Sequence, residues 1–485
     1  MAEHSNGRSP AGMWVFPQAD QITAQVMERT TRRCKPHTIA LVVAALLAAL
    51  GVVGFLLRVA ADGLDNYNAW GYYMAAFSFV FMVTSGAPLA TAAFRFTKSH
   101  WRRPLSRVAE LFAVVGVLNV LLFIPMIIVL PSIENPAFVP GMEGEMAARR
   151  SIWLGSSGLT GGPPELWDIL GLVALAVTSM AILWLSLMPD LAQSRDSVSG
   201  FRRSIYGFLA GSWHGTKRQW IQHKAGMMLL GGFYFMMVVF VHFLIVSDYA
   251  MSLIPGWKDS ILPPLYTLIA FQNALGLLLV ILFILRKWGG YQEYIGISLF
   301  WSASKILLGL TLLWTYHLFA FFITFWYGRL EVEESILRYL MFESYAPVFW
   351  ANVIFSFFVP FFILLWNPVR KTAWGPALAG LSALVGGFLF SIRIFVGSFN
   401  AVDFKEFPGE LYSLGLTRAR IQDAVIPDLW DIFMVVGIIG AAALVYLAAA
   451  KLFPIMSIWE VKEGAMYQRM GKLFRGEYMI LAKPE

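Results

Sequence analysis

Ionisable side chains are rare in the long apolar stretches of this sequence, and those that occur there are the first candidates for chemistry. A charged group in hydrocarbon costs several kcal/mol, so such a residue is by default a candidate for function. Six candidates lie near one end of their stretch: Arg58, Asp168, His242, Asp248, Arg393 and Asp431. Three lie deeper or towards the other end: Glu110, Lys305 and His317.

His242 offers the most specific chemistry of these residues. Oxidation of a quinol with proton release needs an apolar slot, a hydrogen-bond partner for each ring hydroxyl and a base that titrates near neutral pH. His242 beside Asp168 or Asp248 would supply the last two, because a carboxylate orients and tunes an imidazole. The alternative is that His242 only ties its helix to a neighbour and that both aspartates are solvated helix ends.

A proton pathway is the second chemistry that these residues could support. Its candidates are Lys305, His317, Arg393, Glu110 and Asp431. Arg393 stays charged and should face a carboxylate, a carbonyl cluster or water, whereas Lys305 could deprotonate and relay protons. The alternative for both is a structural ion pair inside a helix bundle. Glu110 follows Arg107 by three residues, so an i,i+3 ion pair is its simpler interpretation.

The composition predicts that membrane helices position these residues. The chain has 485 residues, of which 58% are hydrophobic, 15% aromatic and 14% charged, whereas a soluble domain carries about 25% charged residues. The same values exclude intrinsic disorder. The single cysteine, Cys34, excludes a disulfide framework and a cysteine-ligated iron–sulfur cluster or zinc site in this chain. With only His242 and His317 inside apolar stretches, we expect neither haem nor a metal site.

Ten apolar runs are long enough to cross the roughly 30 Å hydrocarbon layer of a membrane as helices. They are 38–60, 70–94, 108–130, 167–188, 225–246, 264–285, 294–327, 345–366, 373–396 and 429–450. We therefore predict an all-α polytopic membrane protein. Residues 1–37 would form an amphipathic N-terminal tail, 38–452 a ten-helix transmembrane domain and 453–485 a C-terminal tail.

The basic residues predict the orientation of this domain. Of the 37 Lys and Arg residues, 25 lie in the tails and in the loops on the same side, and 8 lie in the loops on the other side. Cytoplasmic segments carry the excess of Lys and Arg, so both termini are predicted to be cytoplasmic. The net charge of +7 is then a topology signal rather than a nucleic-acid footprint. The long loops 131–166 and 397–428 lie on the outer side and are predicted to dock a partner.

Several short strings resemble one family in their order along the chain. They are RPLSRVAE (103–110), PPELWDIL (163–170), SLMPDLAQSRD (186–196), VHFLIVSDYAMSLIPGWKDSILPPLY (241–266), FFITFWYG (321–328), SIRIFVGS (391–398) and FPIMSIWEVKE (453–463). With the ten-span layout, they resemble the NrfD/polysulfide-reductase membrane subunits (PsrC-like). Within that family the chain is most similar to the ten-helix ActC and ActF subunits of bacterial alternative complex III.

The resemblance implies two four-helix bundles, helices two to five and six to nine, flanked by the first and last helices. It also implies a bacterial inner-membrane location and no cofactor in this chain. Iron–sulfur and haem c subunits would dock on the outer face, beside a paralogous NrfD-like subunit. A quinol such as menaquinol would be oxidised in this respiratory or photosynthetic complex. Asp168, His242, Asp248, Lys305 and Arg393 fall on polar positions of the family.

Two departures bear on the quinol site that the resemblance implies. Ile127 or Ile128 occupies the place of a histidine at the end of helix three, and Ala320 that of an acid near the end of helix seven. Isoleucine offers neither a proton acceptor nor a hydrogen bond. The departures favour the ActF-like relative. A purely structural anchor and a secondary transporter stay as alternatives, although transporters show broken helices and an inverted repeat.

Overall fold

The computed structural model describes residues 19–32, 34–130, 164–254, 257–329, 331–401, 423–473 and 476–481. Ten helices in these ranges are long and apolar enough to cross a membrane, which confirms the prediction of an all-α polytopic membrane protein. In chain order, spans 1 to 10 are Lys35–Asp62, Tyr67–Phe96, His100–Val129, Leu166–Ser197, Lys217–Leu253, Leu262–Lys287, Ile297–Gly328, Ala346–Leu365, Trp374–Ala401 and Leu429–Leu452.

The spans form the two predicted four-helix bundles. Spans 2 to 5 pack around one core, called here the first bundle, and spans 6 to 9 form the second bundle. Span 2 joins the bundles by packing along span 6, and this central position explains why it is the most buried of the ten. Spans 1 and 10 pack most extensively against each other, and span 10 also packs on span 2.

Glycines bring spans 1 and 10 into close contact. A Cβ built on Gly437 would lie 2.0 Å from the Cα of Gly51, and one on Gly440 would lie 2.6 Å from the Cβ of Leu47. Small residues at such a crossing let two backbones approach and gain van der Waals contact, which drives helix association in lipid. The flanking helices therefore form a pair of their own.

The first and the last described helices meet at one end of the domain, called here the terminal face. The helix Ala19–Thr31 buries Ile22 and Val26 and contacts the helix Ile458–Met466. A small antiparallel hairpin follows, with strands Gln468–Leu473 and Gly476–Leu481. The opposite end is called the loop face. The predicted docking loops 131–166 and 397–428 lie largely outside the described residues.

Some spans are not regular α-helices. Span 3 tightens at Leu111 and Phe112, between the helices Arg103–Glu110 and Ala113–Val129. Spans 8 and 9 contain the π-helical segments Ile354–Phe358 and Ile392–Val396. Shorter helices are Gly200–Ala210, Glu331–Leu337 and Asn367–Arg370, and a third π segment is Arg338–Phe342. Such π segments free backbone carbonyls and are frequent at functional sites.

Candidate functional site

His242 is fully buried where spans 2, 5 and 6 meet. Its Nε2 lies 2.9 Å from Ser85 Oγ and its Nδ1 lies 3.2 Å from Thr267 Oγ1. The rings of Phe81 and Tyr266 meet the imidazole edge-to-face, with centroids 5.2 Å and 5.0 Å away. Both ring nitrogens are therefore engaged by hydroxyl groups, and neither is hydrogen-bonded to Asp168 or Asp248.

The hydrogen-bond distances favour one tautomer of His242. Ser85 Oγ lies 2.7 Å from the carbonyl oxygen of Phe81 and donates its proton there, so it accepts from Nε2–H of the imidazole. Thr267 Oγ1 lies 3.4 Å from the nearest carbonyl, a long contact, and donates to Nδ1 instead. A neutral imidazole satisfies all of these groups, as expected for a histidine that ties three helices together.

Asp168 and Asp248 lie where the sequence places them, at the loop-face ends of spans 4 and 5. Both are buried, with 0% and 2% of their surface exposed. The alternative interpretation of solvated helix ends is therefore wrong for these two residues. Their role at a quinol site stays a prediction, and neither carboxylate is hydrogen-bonded to His242.

Arg393 is buried in the π segment of span 9 near the loop face. Its guanidinium carbon lies 5.4 Å and 5.6 Å from the ring centroids of Phe349 and Phe390. Asp259, in the loop before span 6, is the carboxylate that interacts electrostatically with Arg393, but no direct ion pair joins the two side chains. Burial raises the pKa of Asp259 to about 6, although the N–H of Ile261 and the charge of Arg393 oppose the shift.

Lys305 and His317 do not face the bundle interior. Lys305 is exposed on span 7, and its Nζ lies 3.4 Å from the centroid of the Trp301 ring, a cation–π contact. It has no carboxylate partner within the part of the chain that the structure describes. His317 is half-buried and bonds through Nδ1 to the carbonyl of Leu313 on its own helix. The alternative of a structural ion pair of Lys305 inside the bundle is therefore wrong, and the roles of Lys305 and His317 in a proton pathway stay predictions.

Asp431 belongs to a charge cluster that ties span 10 to span 1. Arg58 contacts Asp431 at 2.7 Å, Asp428 at 2.8 Å and Asp62 at 2.9 Å. Asp431 and Asp428 also form a reciprocal capping box at the start of span 10. One guanidinium thus forms ion pairs with three carboxylates at the loop-face ends of spans 1 and 10, and these ion pairs hold the two helices together.

Glu110 belongs to a buried ion-pair network at the terminal face. Arg95 bridges Glu110 at 2.8 Å and Glu460 at 2.9 Å, and Arg102 contacts Glu460 at 2.7 Å. The expected pair of Arg107 and Glu110 is present at 3.5 Å. Both glutamates are fully buried. The i,i+3 interpretation is therefore confirmed, but as one contact of a larger network.

Asp190 on span 4 extends this network to the C-terminal helix. It contacts Arg107 at 2.9 Å and accepts hydrogen bonds from the N–H groups of Ile458 and Trp459 at 3.1 Å and 2.7 Å. The network, defined by Arg95, Arg102, Arg107, Glu110, Asp190 and Glu460, is called the terminal-face ion cluster. Three cations balance three anions, as burial of charge requires.

Glu460 is the carboxylate of the cluster that its cations hold in the ionised form. Burial alone would raise the pKa of this carboxyl, but the guanidinium groups of Arg102 and Arg95, with hydrogen bonds from Arg95 and Ser106, hold it well below its usual range. Sequence reasoning missed Glu460, because it lies 365 residues from Arg95. Asp190 carried a usable signal, since it is an acid inside an apolar helix.

A line of polar groups runs through the first bundle between the cluster and His242. Ser186 Oγ donates to Glu110, and Asn119 Nδ2 donates to Thr84 Oγ1 at 2.8 Å. Beside Asn119 lies a cavity of about 10 Å³, also lined by Ser85 and Ser179, which is room for one water molecule. We call this line the polar column.

Between Ser179 and Ser186 the polar column has an apolar interval of two helical turns, about 10 Å long. Residues 180–185 are Met, Ala, Ile, Leu, Trp and Leu. Proton transfer along the column therefore requires transient water in this interval.

Neither a scan against models of known protein families nor a search of curated proteins finds a match to this chain.

Proposed function

We propose that this chain is the cofactor-free integral subunit of a quinol-oxidising electron-transfer complex in a bacterial inner membrane. In this proposal it anchors iron–sulfur and haem c subunits on the loop face, packs beside a paralogous membrane subunit and conducts protons through its first bundle. The ten apolar helices and the resemblance to NrfD-like subunits support the assignment to such a complex. Both termini are then cytoplasmic, and the terminal face is the cytoplasmic face.

The single observation that supports proton conduction is the polar column. Its terminal-face part is the buried carboxylate Glu110 with Ser186, and beyond the apolar interval its central part runs from Asn119 past Ser85 to His242. A column of this kind suits proton transfer because hydroxyl and imidazole groups pass protons along hydrogen bonds with bound water, which an amide such as that of Asn119 can orient. The acids Asp168 and Asp248 lie beyond it, towards the loop face.

The residues around His242 do not fit a quinol. Both imidazole nitrogens are engaged by Ser85 and Thr267, so no ring position is left for a quinol hydroxyl. Ile128, one of the two residues at the place of the family's histidine, is 60% exposed on the lipid side of span 3. In this proposal quinol oxidation therefore belongs to a neighbouring subunit.

Purification of the tagged chain under mild detergent tests the assignment to a complex. Co-purification of haem c and iron–sulfur polypeptides is the expected result. A lone protein that transports a solute in proteoliposomes would contradict it and support a secondary transporter.

Two substitutions test the polar column inside the purified complex. Asn119→Leu and Ser85→Ala should lower the number of protons moved per quinol oxidised at least twofold, while quinol oxidation persists. Ser304→Ala is the matched control, because Ser304 is a buried serine of the second bundle that bonds to its own helix. Unchanged proton stoichiometry in both variants would exclude conduction by the column.

A purely structural anchor is the second candidate, and two observations favour it. His242 is satisfied as a neutral imidazole, and Glu110 is locked by Arg95 and Arg107. An anchor needs only these contacts, so Asn119→Leu would then alter stability and leave proton stoichiometry untouched.

A further inference from the structure

A large cavity lies between the pair of spans 1 and 10 and the two bundles. Its volume is about 640 Å³, and its walls are apolar side chains of spans 2, 6 and 10, among them Val83, Ile281 and Ile439. Along span 10 the lining runs from Ile439 to Lys451, about 18 Å of helix. This is close to the depth of one leaflet of a bilayer.

Cationic side chains stand at the mouth of this cavity, at the terminal face. Arg29, Arg32 and Lys451 contribute to its lining, and the imidazole of His37 lies beside them. Lys451 donates to the carbonyl oxygens of Thr30 and Arg32 and so fixes the end of the N-terminal helix there.

Arg29 is held with part of its hydrogen-bonding capacity unused. Its guanidinium carbon lies 5.2 Å from the ring centroids of Tyr291 and Tyr294, and Glu293 is 3.9 Å away and largely exposed. Its Nη1 is buried and has no hydrogen-bond partner among the described residues. Trp288 is 65% exposed at the same rim, as is typical of an aromatic residue at headgroup level.

We propose that this cavity binds a glycerophospholipid with an anionic headgroup. The headgroup phosphate pairs with Arg29 and Arg32, and one acyl chain fills the cavity between span 10 and the bundles. The charge of the mouth selects the anionic headgroup, because a planar guanidinium matches phosphate geometry. The apolar walls select a hydrocarbon chain. The bound lipid thereby fills the space between the outer helix pair and the bundles, and it rests on no part of the proposed redox function.

Lipid retention by the purified full-length chain tests the proposal. After detergent exchange, the protein is given phosphatidylglycerol or phosphatidylcholine with identical acyl chains, and bound lipid is counted by native mass spectrometry. We expect one tightly held phosphatidylglycerol, at least fivefold preferred over phosphatidylcholine, and a melting temperature several degrees higher with it. Equal retention of the two lipids would overturn the proposal.

Substitutions locate the bound lipid. In the double variant Arg29→Gln, Arg32→Gln, the preference for phosphatidylglycerol over phosphatidylcholine should fall at least fivefold. Arg203→Gln, at an exposed arginine away from the cavity, should keep this preference. Ala443→Phe places a phenyl ring where the acyl chain lies and should expel the lipid; Ala448→Phe, on the same helix but outside the lining, should not. Retention of phosphatidylglycerol in Ala443→Phe would overturn the proposal. So would the finding that Ala443→Phe expels a bound quinone instead of a phospholipid.

Discussion

Asp259 gives a residue-scale prediction about pH. Its pKa is raised to about 6 in the folded protein, chiefly by burial, whereas an unfolded aspartate titrates near 3.9. Folding therefore favours the protonated form. The resulting stabilisation is fully present below about pH 4 and is lost as the pH rises through 6, and it amounts to roughly 2–3 kcal/mol.

Thermal unfolding in detergent at pH 4.5 and pH 7 tests this prediction. The wild-type protein should lose more stability over this range than Asp259→Asn, which carries no titrating group at the position. Asp196→Asn is the control, because Asp196 is 74% exposed and should leave the pH dependence as it is. Identical pH profiles for the wild type and Asp259→Asn would refute the assignment.

The residue types predicted which groups are unusual, but not their partners. Arg393 was expected to face a carboxylate, a carbonyl cluster or water, and the carboxylate that interacts with it electrostatically is Asp259. Yet Asp259 lies in a short polar loop, where an aspartate carries no signal of burial. Lys305 was expected inside the bundle but is exposed. A lysine two turns from a helix end can extend its stem to the membrane surface. Its direction depends on the rotation of span 7, which composition does not fix.

At the scale of elements, the pairing of spans 1 and 10 yields a prediction. Gly437→Ala places a methyl group 2.0 Å from the Cα of Gly51, so the two helices must separate. We expect a loss of roughly 1–3 kcal/mol, as for other overpacked contacts, seen as a lower melting temperature in detergent. Gly309→Ala is the matched control, since no atom lies within 4 Å of a Cβ there, and it should be neutral or slightly stabilising. Equal effects of the two substitutions would contradict close packing at Gly437.

Span existence was predictable because membrane hydropathy is a local property of the chain. All ten runs became helices, and the amphipathic N-terminal tail contains the helix Ala19–Thr31. The pairing of spans 1 and 10 was not predicted, because Gly51 and Gly437 are far apart in sequence and one glycine in an apolar helix is unremarkable. The hairpin 468–481 was also missed, because its polar strands resemble a tail.

At the scale of the whole molecule, the buried ion clusters lie at the two ends of the helices, and the buried polar groups in the middle of the bundles are neutral. The terminal-face ion cluster and the Arg58 cluster occupy opposite ends. Gln272, Asn352 and Ser356 form hydrogen bonds in the core of the second bundle. This arrangement follows from cost, since an amide is far cheaper to bury than an ion. The first bundle is therefore the part of the domain in which a buried acid and a polar column lie together.

The terminal-face ion cluster joins three spans to the C-terminal helix, and Glu460→Gln tests whether it holds them together. The substitution leaves Arg95 and Arg102 buried with one carboxylate fewer, and removal of one member of a buried ion pair costs about 3–5 kcal/mol. We expect the helix Ile458–Met466 to detach first, because Glu460 is the residue that links this helix to Arg95 and Arg102. Limited proteolysis should then cut near residue 455 at least tenfold faster than in the wild type.

Glu463→Gln is the matched control on the same helix. Glu463 is partly exposed and pairs with Lys224 at 3.0 Å and Arg103 at 3.6 Å, so its loss should cost about 1 kcal/mol or less. Proteolysis at the same rate in both variants would show that the cluster does not anchor the C-terminal helix. A selective effect of Glu460→Gln would instead mean that the terminal face is held by charges distant in sequence, whose release frees the C-terminal segment while all ten spans stay in the membrane.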